Sequence, residues 1–132
     1  MSKRSTILVA EDHADSREAV RALLEAVGYR VRVAVNGREA IDSALADPPD
    51  LILMDIMMPE VDGLEATRAL RQQKETRDVP IIAVTAMGAS GEVSREAGCN
   101  GHVAKPIDVP RFLDAISHSL RTRNHRENGA TA

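Results

Sequence analysis

An alternation constrains this chain more than any other feature: apolar runs of strand length take turns with longer stretches whose apolar residues recur at helical spacing. Thr6-Ile7-Leu8-Val9-Ala10 is a continuous apolar run, the pattern of a strand buried on both faces. From Ala14 to Val27, the residues Ala19, Val20, Leu23, Leu24 and Val27 make one helical stripe, and Gly28 follows where a helix-ending glycine belongs. A second strand, Arg30 to Val35, alternates Val31, Val33 and Val35 with Arg30, Arg32 and Ala34, so one face is wetter, as at a sheet edge. The same reading gives a helix from about Gly37 to Ala46, stopped by Pro48-Pro49, and then a strand Leu51–Met54. A helix from about Leu64 to Gln73, a strand Ile81–Val84 and a short helix between Ser90 and Ala97, closed by Gly98, come next. A strand Gly101–Ala104 precedes a last helix from about Val109 to Arg121, with Phe112, Leu113, Ile116 and Leu120 inward.

Asp15-x-x-Glu18, Asn36-x-x-Glu39 and Asp62-x-x-Glu65 each place a capping side chain three residues before an acid at an expected helix start. Five strands alternating with five helices imply an α/β fold, a parallel sheet covered on both faces. The 132 residues suit one domain, over about 5–121, and residues 122–132 are polar without an apolar period and read as a disordered tail. A net charge of -3 gives no broad attraction to nucleic acid or anionic lipid. Cys99 is the only cysteine, so there is no internal disulfide and no cysteine-rich metal site. No run is long enough for a signal peptide or a membrane span, and the simple expectation is a cytoplasmic protein.

In an open parallel α/β sheet, function sits at the carboxyl ends of the strands. Here those ends read Glu11-Asp12 after strand one, Asp55 after strand three, Thr85 after strand four and Lys105-Pro106 after strand five. Three carboxylates in one place repel one another unless one takes up a proton or a cation neutralises them. Oxygen ligands suit Mg²⁺, which keeps waters exchangeable for phosphate oxygens; soft ligands are absent, which argues against zinc or copper. A carboxylate beside such a cation is able to act as a nucleophile toward a phosphoryl group, with Lys105 and Thr85 on other phosphoryl oxygens. Singly, each residue has an ordinary reading: a solvated acidic turn, a cap, a surface lysine. The specificity lies in the set.

The strings Val9-Ala10-Glu11-Asp12, Leu53-Met54-Asp55-Ile56-Met57-Met58-Pro59, Asp62-Gly63, Val84-Thr85-Ala86 and Ala104-Lys105-Pro106 resemble the receiver domains of bacterial response regulators, over about Ile7 to Leu120. The resemblance implies a doubly wound, flavodoxin-like (βα)5 sheet of strand order 2-1-3-4-5. It implies Asp55 as phosphoacceptor, with Mg²⁺ (Mn²⁺ as a substitute) held by Asp12 directly, by Glu11 partly through water, by Asp55 and by the Met57 backbone carbonyl. Thr85 would bind the phosphoryl group and report its arrival. Lys105 would pair with Asp55 and then with phosphoryl oxygens, and the Lys105-Pro106 bond would be cis. The implied donor is a phosphohistidine on a sensor kinase or phosphotransfer protein, with small acyl phosphates as substitutes. The implied output is phosphorylation-dependent protein binding on the face of helix four, strand five and helix five, by a monomer or weak dimer.

Three departures stand out. His102 occupies the position of the switching aromatic; an imidazole there changes the energetics and is able to add pH sensitivity, while its ordinary reading is a partly exposed histidine at a strand end. The stretch from Thr85 to Lys105 is about two residues shorter than in many chemotaxis-type receivers, and Met87-Gly88-Ala89-Ser90-Gly91 carries two glycines, so the fourth helix is expected to be short or mobile. Met57 and Met87 stand two residues after Asp55 and Thr85, where thioethers orient an attacking water poorly, which implies a comparatively long-lived phosphoaspartate. Competing readings are a receiver fragment of a hybrid kinase or longer regulator and a pseudo-receiver that is never phosphorylated. A flavin-binding protein of like topology would need a phosphate loop, which Glu11-Asp12-His13-Ala14-Asp15 does not supply. An aspartyl-phosphate hydrolase usually has a second acid where Met57 stands.

Overall fold

The computed structural model describes residues 4–58, 61–86 and 91–131, with side chains except at 91 and 123–131. In chain order the elements are β1 (Thr6–Ala10), α1 (Ala14–Ala26), β2 (Arg30–Ala34), α2 (Gly37–Ala46) and β3 (Leu51–Asp55). They continue with α3 (Gly63–Arg71), β4 (Ile81–Thr85), α4 (Gly91–Ala97), β5 (Gly101–Ala104) and α5 (Val109–Thr131). All strand pairs are parallel, in the order β2-β1-β3-β4-β5. This is the doubly wound receiver, or flavodoxin-like, fold.

Alternate residues of a strand face opposite sides of the sheet, so each inner strand feeds two cores. Ile7, Val9, Leu51 and Leu53 pack with Leu24 of α1 and with Phe112, Ile116 and Leu120 of α5. Leu8, Ala10, Ile52 and Met54 pack with Ala40, Ile41 and Ala44 of α2, and with Ala66 and Leu70 of α3. The wholly apolar runs belong to β1, β3 and β4, the three interior strands. The wetter β2 lies at an edge, as its alternation suggests.

Two of the expected caps are formed. Asn36 accepts from the Glu39 backbone N–H at 2.8 Å, while the Glu39 carboxylate accepts from the Val35 N–H at 2.9 Å. Asp62 accepts from the Glu65 N–H at 2.9 Å. The first is a correction: α1 begins at Ala14 with His13 as N-cap, so Asp15 lies inside the first turn. There an acid complements the helix dipole instead of capping it. Gly28 and Gly98 have φ of 105° and 116°, the left-handed conformation that ends a helix at little cost only for glycine. α5 continues helical to Thr131, ten residues past Arg121, where an unstructured tail was expected. Its polar residues give no apolar period to read, but helix needs none where the preceding turns already supply the nucleus. The Met87–Ser90 stretch lies outside the described residues.

Candidate functional site

The parallel register brings the ends of β1, β3 and β4 to one edge: Ala10 lies beside Met54, and Asp55 beside Val84. Asp55, the last residue of β3, is 4% exposed, and Glu11, one residue past β1, is 5% exposed. Such burial of two acids needs compensation, and Lys105 provides it. Its Nζ lies 3.0 Å from Glu11 Oε1 and 3.2 Å from Asp55 Oδ2. The Lys105-Pro106 peptide bond is cis, and the Lys105 N–H donates to the Thr85 carbonyl at 2.8 Å, anchoring the lysine's backbone to the end of β4.

The two buried acids are pushed in opposite directions, so that between about pH 2 and 6 Glu11 is ionised while Asp55 carries a proton. Burial raises Asp55, its hydrogen bond and charge repulsion with Glu11 raise it further, and its carboxyl stands at about 6 despite the Met57 N–H and Lys105. Burial also works against ionised Glu11, but hydrogen bonds from Asp55, the His13 backbone and Lys105 outweigh it and hold that carboxyl at about 2. Below about pH 6 the two carboxyl groups share one proton, which resides on Asp55. A divalent cation would take over the role of that proton.

The loop after β1 is fastened at several points. The Glu11 N–H donates to the Ala34 carbonyl at 3.0 Å, and the His13 N–H to Glu11 Oε2 at 3.1 Å. Arg17, one turn into α1, reaches back so that its Nη1 donates to the carbonyls of Glu11 and Asp12 at 3.1 and 3.4 Å. Asp12 Oδ1 is buried without a hydrogen-bond partner. A buried carboxylate oxygen without a hydrogen-bond partner, close to the Glu11 carboxylate, is what a hard cation would satisfy, so the residues present fit Mg²⁺.

Of the residues expected from sequence, Glu11, Asp55 and Lys105 are brought into contact, and Asp12 lies close to Glu11. Met57 sits beside them: its N–H donates to Asp55 Oδ1 at 3.0 Å, and its side chain is 72% exposed. Thr85 is buried at the end of β4, but its hydroxyl donates to the Val103 carbonyl at 3.4 Å and not to the acids. His102 is exposed on the edge strand β5. Sequence reasoning passed over Arg17, whose only signal is a basic residue one turn into the helix that follows the acidic loop. It also noted Gly63 only within a motif. A Cβ at that position would collide with the Asp55 carbonyl, so glycine lets α3 start against the end of β3.

This fold and this edge define the class: the chain belongs to the response regulator receiver domain family, whose pattern matches residues 7–117. Among curated relatives, the polar-differentiation response regulator DivK of Brucella anthropi is 44% identical over 117 residues, covering 87% of this chain and 95% of that protein. Among solved structures, the receiver domain of sensor histidine kinase PA1611 from Pseudomonas aeruginosa has a magnesium ion coordinated in its active site cleft. It is 35% identical, with a TM-score of 0.83 over 89% of this chain and 98% of that one. The chemotaxis response regulator CheY4 of Vibrio cholerae is 28% identical, with a TM-score of 0.83 over 89% and 99% of the two chains. Among the described residues, no helix is long and apolar enough to cross a membrane.

Proposed function

We propose that this receiver takes a phosphoryl group onto Asp55 from a phosphohistidine and passes the signal on through protein binding. The observation that carries this reading is the buried Asp55 carboxyl, 3.2 Å from Lys105 Nζ, which also holds Glu11 at 3.0 Å. Glu11, Asp12, Asp55 and the Met57 carbonyl would hold Mg²⁺, which supplies positive charge that offsets the repulsion between carboxylate and phosphoryl oxygens. Asp55 loses its shared proton and attacks phosphorus with one oxygen; the bond from phosphorus to the donor imidazole breaks, and the imidazole leaves. The product is an acyl phosphate on Asp55. Lys105, ion-paired with Asp55 beforehand, follows the charge onto a phosphoryl oxygen. Thr85 then exchanges its 3.4 Å bond to Val103 for a phosphoryl oxygen, and that movement, with His102 on the neighbouring strand, alters the α4–β5–α5 face on which a protein target docks. The kinase or phosphotransfer protein and the output target are protein partners. Residues 5–121 carry these functions, in the cytoplasm.

Incubation with Mg²⁺ and acetyl phosphate, read by intact mass, tests this proposal. One phosphoryl adduct is expected on the wild type, lost in Asp55→Ala and with EDTA. If neither acetyl phosphate nor a phosphorylated histidine donor protein produces the adduct, the chain is an interaction module that is not phosphorylated.

A further inference from the structure

The thioether of Met57 has no part in the roles above, which use only its backbone. Met57 is 72% exposed, whereas the other sulfur-bearing residues with described side chains, Met54, Met58 and Cys99, are 0%, 7% and 5% exposed. Burial also pushes the Cys99 thiol up, so little of it is the thiolate that oxidants attack. The Met57 N–H donates to Asp55 Oδ1 at 3.0 Å, which holds this residue against the acceptor carboxyl. Asp55 lies beside Val84, so Thr85 follows at the same edge of the sheet. Met57 and Thr85 border one groove of about 230 Å³, whose lining includes the apolar Ile56, Leu64, Ala86 and Val93. Val93, like Met57, is an exposed apolar side chain, so the groove is open to solvent.

A thioether accepts hydrogen bonds only weakly, so Met57 gives a water in this groove little to hold. Oxidation changes that. The sulfur lone pair attacks one oxygen of a hydroperoxide, the O–O bond breaks, and the other oxygen leaves as water or alcohol; the sulfur gives up two electrons and becomes a polar sulfoxide. We propose that Met57 is a reversible oxidation site, through which peroxide-class oxidants shorten the life of the phosphoryl group on Asp55. The sulfoxide oxygen accepts a hydrogen bond from a water in the groove and orients it. The water oxygen attacks phosphorus, the bond from phosphorus to the Asp55 oxygen breaks, and inorganic phosphate leaves with the water's remaining hydrogen while the other proton passes to solvent. The Asp55 carboxylate is thereby restored. A dithiol, acting through a methionine sulfoxide reductase, removes the oxygen from sulfur as water, becomes a disulfide and returns the thioether.

This inference rests on reading Asp55 as the phosphoacceptor, and the test separates the two. The full chain is treated with hydrogen peroxide, freed of it, phosphorylated with Mg²⁺ and acetyl phosphate, and followed by intact mass once the donor is removed. Peptide mapping locates the added oxygen. Wild type, Met57→Leu, Met57→Gln and Met87→Leu are each compared with themselves before oxidation; Met87 lies outside the described residues and serves as the control for a second methionine. The Met57 side chain is mostly exposed, so both of its substitutions should fold. In wild type and Met87→Leu, oxygen on Met57 should speed loss of the phosphoryl group at least about fivefold, less than full general-base catalysis supplies. Methionine sulfoxide reductase with dithiothreitol should then restore the slow rate, which damage to the fold would not allow. Met57→Leu should not respond to peroxide, and Met57→Gln, whose amide oxygen stands in for the sulfoxide, should decay faster than Met57→Leu without it. Three results each overturn this inference alone: oxygen on Met57 with an unchanged decay rate, a response that survives in Met57→Leu, or Met57→Gln decaying no faster than Met57→Leu. If untreated wild type takes no phosphoryl group from acetyl phosphate or from a phosphohistidine donor, the reading beneath it falls as well.

Discussion

Lys105 is the residue on which the buried acids depend. Two carboxyl groups that are almost wholly enclosed share one ammonium, at 3.0 and 3.2 Å. Lys105→Met keeps the length of the side chain and removes the charge. Breaking a buried pair leaves an unpaired charge and costs several kcal/mol, but the lysine side chain is 37% exposed, so solvent screening reduces the loss to about 1–3 kcal/mol at pH 7. Urea unfolding of the metal-free variant checks this, and an unchanged midpoint would mean that the acids are neutralised without the lysine. The residues at the strand ends were legible because strand length and sheet edge follow directly from the apolar runs. Arg17 was not. It folds its side chain back over the loop after β1, and no periodicity records the path of a loop.

At the scale of elements, the least visible device is a clamp at the end of α3. The Arg71 guanidinium donates to the carbonyls of Gly98, Thr76, Arg77 and Val79 at 2.9, 3.3, 3.0 and 2.8 Å. It also donates to Asn100 Oδ1 at 2.8 Å, and that same oxygen accepts from the Ile81 N–H at 2.8 Å. One side chain therefore ties the end of α3 to the start of β4 and to the turn between α4 and β5. Arg71→Ala strands several half-buried carbonyls, and a loss of about 2–4 kcal/mol in unfolding free energy is expected by urea denaturation. Arg71→Lys should recover less than half of it, because an ammonium lacks the planar fork that spans these acceptors. Full recovery by lysine would show that charge alone matters there. In the sequence Arg71 is one more basic residue in the last turn of a helix. The boxes at Asn36 and Asp62 were legible because the capping partner lies three residues away. The clamp was not, because its acceptors lie up to 29 residues away. The first cap failed for a related reason: the loop after β1 is taut, and α1 starts before the residue that matches the motif.

For the molecule as a whole, the sheet order follows from which runs are apolar throughout, and what the fold then builds is an edge that opposes its own charges. The stability of the metal-free protein should reflect this through pH. Asp55 is raised from 3.8 to about 6, so its contribution is complete below 3.8 and is lost as pH rises through 6. Glu11 is lowered from 4.5 to about 2, so its contribution is complete above 4.5 and is lost as pH falls through 2. The pair therefore favours folding most at mildly acidic pH, and above pH 6 the enclosed Asp55 charge weighs against it. A divalent cation bound by the folded state competes with the proton on Asp55, so Mg²⁺ should raise the melting temperature more at pH 8 than at pH 5. At a hundredfold excess over Kd the linkage is about 2.7 kcal/mol, on the order of 10 °C for a domain of this size. Thermal melts at both pH values, with Mg²⁺ and with EDTA, measure it directly. In Asp55→Asn the buried charge is gone, so the metal-free melting temperature at pH 8 should rise and most of the Mg²⁺ response should disappear. Equal Mg²⁺ shifts at pH 5 and pH 8 in the wild type would mean that the ion does not displace the Asp55 proton, and that the acids at this edge are balanced by Lys105 alone.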